Sequence, residues 1–269
     1  MYSAGEAAAI TALLFKEIAN AEKADFIRDP LKEIPEEISN KLNEALQKLL
    51  LHVPVQHIIG RVDFCGLKFE VSNAALIPRP ETEELTMMLI NSIPKDNPVK
   101  VLDIGTGTGC IPISIKKHFP EAKVSAIEIS EYAMTLAKKN STLLDAPIEF
   151  LQMDFLDEAN WVELDKFDIM ISNPPYISAS ENEKPDKNVL LHEPHLALFA
   201  PGNDPLIFYR KIASFALHHL QKNGVLWLEL NTHLAVQTKE IFETSNFNAE
   251  LLKDQFENNR FLKVTHRCR

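Results

Sequence analysis

At 269 residues and 30.4 kDa, the chain can bury a sizeable core without disulfide or metal staples, as one large domain or as a small one plus a medium one. Its 45% apolar and 25% charged residues exclude a disordered chain, and no apolar run approaches the ~18–20 residues of a membrane span. With 28 basic against 38 acidic side chains the formal net charge is −10, which disfavours a nucleic-acid backbone as partner. Cys65, Cys110 and Cys268 are an odd, widely spaced set without a C-x-x-C, so neither a disulfide scaffold nor a metal site is expected. Glu6 and the lack of a basic lead argue against a signal peptide. The expectation is a cytoplasmic protein.

Residues 1–54 are expected to form a small helical bundle. Ile10, Leu13, Leu14 and Ile18 mark one helical stripe and Ile38, Leu42, Leu46, Leu49 and Leu50 a second, with Pro35 suited to a first turn. Residues 1–50 carry 6 basic and 9 acidic side chains, so this bundle is no nucleic-acid arm. The stretch 55–78 reads as a β-hairpin connector, alternating around Gly66, and a proline-rich run leads into a helix over 82–92. From 79 to 269 strand and helix patterns alternate, with strands at 99–104, 123–129, 148–152, 167–171 and 224–230. Helical patterns fall at 109–118, 131–144, 205–222 and 234–245. This is an α/β pattern that needs a parallel sheet covered on both faces. Two closing strands, 249–255 and 260–267, are joined by a turn at Glu257-Asn258-Asn259 too short for a parallel pair, so one of them must run antiparallel.

Three of the chain's eight glycines fall in Gly105-Thr106-Gly107-Thr108-Gly109, between the strand Val101–Ile104 and an apolar helix. Such a loop lets backbone approach a ligand, although the third glycine comes one residue too early for a dinucleotide fingerprint. Glu128, at the end of the next strand, is placed to accept hydrogen bonds from ribose hydroxyls. Loop and carboxylate together indicate S-adenosylmethionine rather than NAD. Asn173-Pro174-Pro175-Tyr176 follows the strand Phe167–Ser172, at the edge where open α/β sheets bind ligands. An amide or aryl-amine nitrogen has two N–H donors and a delocalised lone pair. The Asn173 side-chain oxygen and the Pro174 carbonyl can each accept one N–H, while Tyr176 stacks on the planar group.

In this order the three elements resemble a Rossmann-like class I methyltransferase acting on a planar nitrogen. Val55–Gly60, the hairpin, Leu76-Ile77-Pro78-Arg79-Pro80-Glu81-Thr82-Glu83, Glu193-Pro194 and the helix around Tyr209-Arg210 resemble the protein-(glutamine-N5) methyltransferases specific for release factors, the HemK/PrmC family. The resemblance spans about residues 50–267 and implies the following. The class I sheet, with its antiparallel terminal strand, is preceded by the helical bundle and hairpin. Gly105, Thr106, Gly107, Thr108 and Gly109 wrap the donor's methionine end, Glu128 holds its ribose, and Phe155 packs on its adenine. Asn173, Pro174, Pro175 and Tyr176 hold the glutamine amide, with Asn173 also near the donor methyl; Asn173, Pro174 and Tyr176 are thus the catalytic set. Arg79, Pro80 and Thr82 line the entrance. The substrate is the glutamine of the Gly-Gly-Gln tip of a peptide-chain release factor, docked with help from the N-terminal helices. Apart from the resemblance, nothing in the sequence demands more than a monomer, and the charge and the lack of a long apolar run lead us to expect neither nucleic acid nor membrane as partner.

Where Ile-Gly follows in the family, this chain has Leu230-Asn231-Thr232-His233 after Glu229. The alternatives are a ribosomal-protein glutamine methyltransferase with the same site, and a DNA or rRNA amino-methyltransferase, against which the charge counts. The polar stretch Ser178–Asn188 reads as a loop beside the acceptor pocket, equally compatible with closing over substrate and with a plain solvated loop.

Overall fold

The computed structural model describes residues 2–29, 33–94, 99–177 and 187–267. Most of the loop expected beside the acceptor pocket (178–186), and Cys268, lie outside the described residues. Contacts divide the chain into two units, residues 1–61 with 185–192, and residues 62–184 with 193–269.

The small unit holds α1 (Ala4–Ala19), α2 (Lys23–Arg28), α3 (Glu36–Leu50) and α4 (Val55–Ile59). Ser3 and Glu6 form a capping box that starts α1. The core of this unit is Leu14, Ala45 and Leu49, with Ile10, Ile18 and Leu42 against them. The second stripe is therefore Leu42, Ala45 and Leu49, at i, i+3 and i+7; Leu46 and Leu50 are exposed. Val55–Ile59, expected within the hairpin connector, is helical instead. Pro54 stands at its N-cap, Gly60 closes it at φ 78°, and Val55, Ile58 and Ile59 join the small core.

The large unit begins within the hairpin of β1 (Arg61–Phe64) and β2 (Leu67–Glu70), at Val62, followed by α5 (Pro80–Ser92), β3 (Lys100–Ile104), α6 (Cys110–His118) and β4 (Lys123–Glu128). Next come α7 (Glu131–Leu143), β5 (Glu149–Gln152) and β6 (Phe167–Ser172); α8 (Lys187–His192) belongs to the small unit. The chain then completes the large unit with α9 (His195–Leu198), α10 (Ile207–His219), β7 (Leu220–Glu229), α11 (Ala235–Thr244), β8 (Phe247–Lys253) and β9 (Asn259–His266). Helix α10 ends three residues earlier than its pattern suggests, because Leu220 is already extended and paired with Phe167.

The seven-stranded sheet has the order β5-β4-β3-β6-β7-β9-β8. Strand β3 pairs in parallel with both β4 and β6. Only β9 is reversed, antiparallel to β7 and to β8, between which it lies. The sequence requirement that one closing strand run antiparallel is thus met by the last one.

Successive strand residues feed two cores, as a period of two dictates. Leu102, Met170, Leu226 and Leu228 pack with Tyr209, Ile212 and Phe215 of α10 and Phe242 of α11. Val101, Ile169, Ile171 and Trp227 pack with Leu85 and Leu89 of α5 and Ile111 and Ile113 of α6. Phe64 and Phe69 of the hairpin are buried in that second core, so the hairpin is an integral part of the large unit. Burial on both faces explains why the strands read as nearly continuous apolar runs. Among the described residues, no helix is long and apolar enough to cross a membrane.

Candidate active site

Strand order reverses at β3, which has β4 on one side and β6 on the other, and such a switch point leaves a crevice at the carboxyl ends of the strands. A cleft of about 580 Å³ opens there. Its wall brings together Gly105, Thr106, Gly107, Thr108, Glu128, Phe155, Asn173, Pro174 and Pro175 with Arg79 and Thr82. Three of the residues singled out from the sequence are not among those lining it: Gly109, Pro80 and Tyr176. Gly109 is the left-handed N-cap of α6, packed against Ala137 of α7. Pro80 is the first residue of α5, where its fixed φ suits the helix start and Pro78 takes the place on the wall. The Tyr176 ring packs on the core shared with α10, and its hydroxyl faces Glu229.

The loop after β3 is held mostly by its own backbone. The Gly105 and Thr106 N–H groups both donate to the Ile127 carbonyl at 3.0 Å, Gly109 N–H donates to Thr106 C=O at 2.9 Å, and Gly107 N–H donates to Glu128 Oε2 at 2.9 Å. Four of its five N–H groups are spent inside the protein, so the loop is no phosphate cradle, which would need them free. Glu128 also accepts from Ser130 N–H through Oε1 at 2.9 Å. Both carboxylate oxygens are thus fixed from behind, each keeping a lone pair for hydroxyls in the cleft. The Asn140 side chain on α7 accepts from Glu70 N–H and donates to the Glu70 and Thr108 carbonyls, tying hairpin, helix and loop together.

Beneath the loop lies Asp103, fully buried, with no hydrogen bond meeting normal geometry to either carboxylate oxygen. Burial pushes its carboxyl up to about 7, against the partial relief of the neighbouring Thr106 hydroxyl and with a further push from the Glu128 charge.

The acceptor side is built on a second buried acid. Asn173 Nδ2 donates to Thr82 Oγ1 at 3.0 Å, and Thr82 Oγ1 donates to Glu229 Oε2 at 2.6 Å. Tyr176 OH reaches Glu229 Oε1 at 3.3 Å, and Tyr209 OH donates to the Glu229 carbonyl at 3.0 Å. Burial raises the Glu229 carboxyl to about 7, although Thr82, Arg260 and Tyr176 each pull it down. Ser172 Oγ donates to Ile104 C=O at 2.6 Å, pinning the ends of β6 and β3 under both halves of the cleft.

Neither Glu229 nor Asp103 received a role from sequence reasoning, although a charged residue in an otherwise apolar strand is a signal in each case. Glu193, buried and bonded to Arg79 and to Ile77 N–H, was likewise read only as part of a motif.

The family described as "Methyltransferase small domain" matches residues 79–208, and that described as "PrmC N-terminal domain" matches residues 3–60. Among solved structures, a methyltransferase from Pyrococcus furiosus superposes with a TM-score of 0.55 at 20% identity, covering 74% of this chain and 88% of that one. The 16S rRNA N2 G1207 methyltransferase of T. thermophilus, in complex with AdoMet and guanosine, gives 0.56 at 19% identity, covering 77% and 50%. Sheet order, reversed last strand and these likenesses define the class I methyltransferase fold. Two relatives carry it further. The release factor glutamine methyltransferase of Flavobacterium psychrophilum is 44% identical over 227 residues, 83% of this chain and 79% of the relative. That of Streptococcus pneumoniae is 37% identical over 263 residues, 97% and 92%. The chain belongs to the release factor glutamine methyltransferase family.

Proposed function

We propose that this protein transfers a methyl group from S-adenosylmethionine to the side-chain amide nitrogen of the glutamine in the Gly-Gly-Gln motif of peptide-chain release factors. The observation that carries this reading is the placement of Asn173 and Pro174 on one wall of the cleft that Glu128 and the Gly105 loop also line. The residues fit a sulfonium nucleoside. Glu128 offers two prearranged acceptors to a ribose, and Phe155 lines the cleft as an apolar surface for adenine. A volume of about 580 Å³ is ample for a ligand of that size. Bound there, this cofactor supplies an electrophilic methyl group.

The chain's own residues then have three tasks. The Asn173 Oδ1 and the Pro174 carbonyl accept the two N–H groups of the glutamine amide, aiming its nitrogen along one line. Pro174 and Pro175 keep that loop from relaxing, and Arg79 and Thr82 bound the entrance. Positioning of this kind accounts for several kcal/mol, with ~7–11 kcal/mol the range for ideal alignment. No base need act first, since the nitrogen can release its proton after the methyl arrives. We assign residues 1–54 to docking of the release factor, 55–78 to the connection and 79–269 to transfer.

The test is methyl transfer from labelled S-adenosylmethionine to purified release factor, ribosomal protein and duplex DNA side by side. Label on the release factor, lost when its Gly-Gly-Gln glutamine is replaced and lost with Asn173→Ala, is the expected result. Label on DNA or ribosomal protein alone, or full turnover by Asn173→Ala, overturns it.

A further inference from the structure

An asparagine can hold a substrate amide in only one of its two orientations. With Oδ1 toward the cleft it accepts the substrate N–H; turned over, it sets its own NH2 against the substrate NH2. The side chain itself does not choose between them. The choice is made two residues away.

The Thr82 hydroxyl has one proton. At 2.6 Å from Glu229 Oε2, that proton goes to the carboxylate, in the charge-assisted bond that is the stronger of the two available. The Thr82 oxygen is left with lone pairs only, so towards Asn173 it can accept and cannot donate. Its partner must then be Nδ2, as the 3.0 Å contact has it. Both Thr82 and Glu229 are buried, at 4% and 2% exposure, so the bond between them is largely shielded from competing water. The other Glu229 oxygen meets Tyr176 OH, so one carboxylate holds both ends of the Asn173–Tyr176 loop.

We propose that Glu229 and Thr82 are positioning residues acting through Asn173: the carboxylate–hydroxyl–amide chain selects the orientation that presents Asn173 Oδ1 to the substrate nitrogen. This rests on the reading of Asn173 as the residue that holds the glutamine amide. It predicts a dependence on protonation. A neutral Glu229 can donate to Thr82, whose own proton is then free to turn towards Asn173 and stabilise the wrong orientation. The groups facing the carboxylate are Thr82 and Glu81 of α5, Tyr176, Tyr209 of α10 and Arg260 of β9. Burial among them brings its titration to about 7.

The experiment measures kcat for release-factor methylation, cofactor Kd by calorimetry and thermal melting for Thr82→Val, Thr82→Ser and Glu229→Gln. Thr82→Val keeps shape and loses the hydroxyl; its kcat should fall by about tenfold or more, the loss of one oriented bond worth ~1.4 kcal/mol, with cofactor Kd within about twofold. Thr82→Ser restores the hydroxyl and should recover most of kcat. The wild-type kcat should decline on the acid side of neutrality, and Glu229→Gln, slower throughout, should show a flattened profile. A Thr82→Val enzyme with wild-type kcat, a serine variant as slow as the valine one, or a cofactor Kd that rises in step with the loss of kcat overturns the proposal. So does a Glu229→Gln enzyme that keeps the wild-type acid limb. A fully active Asn173→Ala instead overturns the reading on which it rests.

Discussion

Arg79 Nη2 lies 2.5 Å from Glu193 Oε1, joining residues 114 apart in the sequence, while the other oxygen of Glu193 accepts the Ile77 N–H at 2.9 Å. One buried carboxylate thereby fixes the Ile77-Pro78-Arg79 segment, whose last two residues line the cleft. Removing it orphans a buried N–H and leaves Arg79 unpaired, although the arginine keeps partial access to water. Glu193→Ala should cost about 2–3 kcal/mol. At about 2–4 °C per kcal/mol for a domain of this size, melting should fall by ~5–10 °C. Glu193→Gln, which retains an acceptor, should lose less. An alanine variant that melts like the wild type would show that the pair does not hold the wall.

Glu128 anchors the loop after β3 and, on the proposed reading, also holds the cofactor ribose. Its oxygens satisfy the Gly107 and Ser130 N–H groups and face the cleft. Glu128→Ala should weaken cofactor binding by about 10- to 100-fold, ~1.4–2.8 kcal/mol, because ribose acceptors and loop anchor go together. Glu128→Gln keeps one acceptor and should fall between. Calorimetry with S-adenosylmethionine decides, and an unchanged Kd in the alanine variant refutes the ribose role.

The sheet was legible in the sequence because parallel strands buried on both faces appear as unbroken apolar runs, and the runs at Val101, Ile169 and Leu226 did so. The Gly105 loop and Glu128 were legible because they are close in sequence and bounded by those runs. Helix α4 was not, since five apolar-rich residues carry too little periodicity to separate helix from strand. The relay from Glu229 to Asn173 was hidden for a different reason. Thr82 and Glu229 are 147 residues apart and become neighbours only because α5 packs beside the end of β7. Glu193 and Arg79 repeat the pattern. The residues that touch a ligand tend to announce themselves by motif; those that aim them are assembled by topology.

Gly109 illustrates a residue singled out for the ligand whose structural duty is packing. Its φ is +79°, and a Cβ there would lie 3.0 Å from Ile113 Cδ1 and 3.2 Å from Ala137 Cβ. Gly109→Ala should therefore destabilise the protein by about 1–3 kcal/mol, through strain and overpacking between α6 and α7. Its cofactor affinity should change less than that of Glu128→Ala. If the alanine variant keeps its melting temperature and loses cofactor binding, Gly109 acts on the ligand after all.

The buried acid that orients Asn173 should make stability and activity respond oppositely to pH. Burial raises the Glu229 carboxyl from an ordinary 4.5 to about 7 in the folded protein, with Thr82 and Arg260 holding it down and Glu81 adding to the rise. Below the unfolded value both states carry the proton, and the folded state has its full stability. Between 4.5 and about 7 the folded protein keeps a proton that the unfolded chain has lost. Stability should therefore decline as pH rises through that window, by at most ~1.4 kcal/mol per pH unit. Glu229→Gln has no such proton to lose. Comparing its melting temperature with that of the wild type cancels Asp103, which shifts in the same direction. The variant's advantage should widen from pH 5 to pH 7 and level off by pH 8, over the range in which wild-type turnover increases. A gap that stays constant across that range means that the Glu229 carboxyl titrates no differently in the folded and unfolded chains, and that the acid limb of turnover has another source.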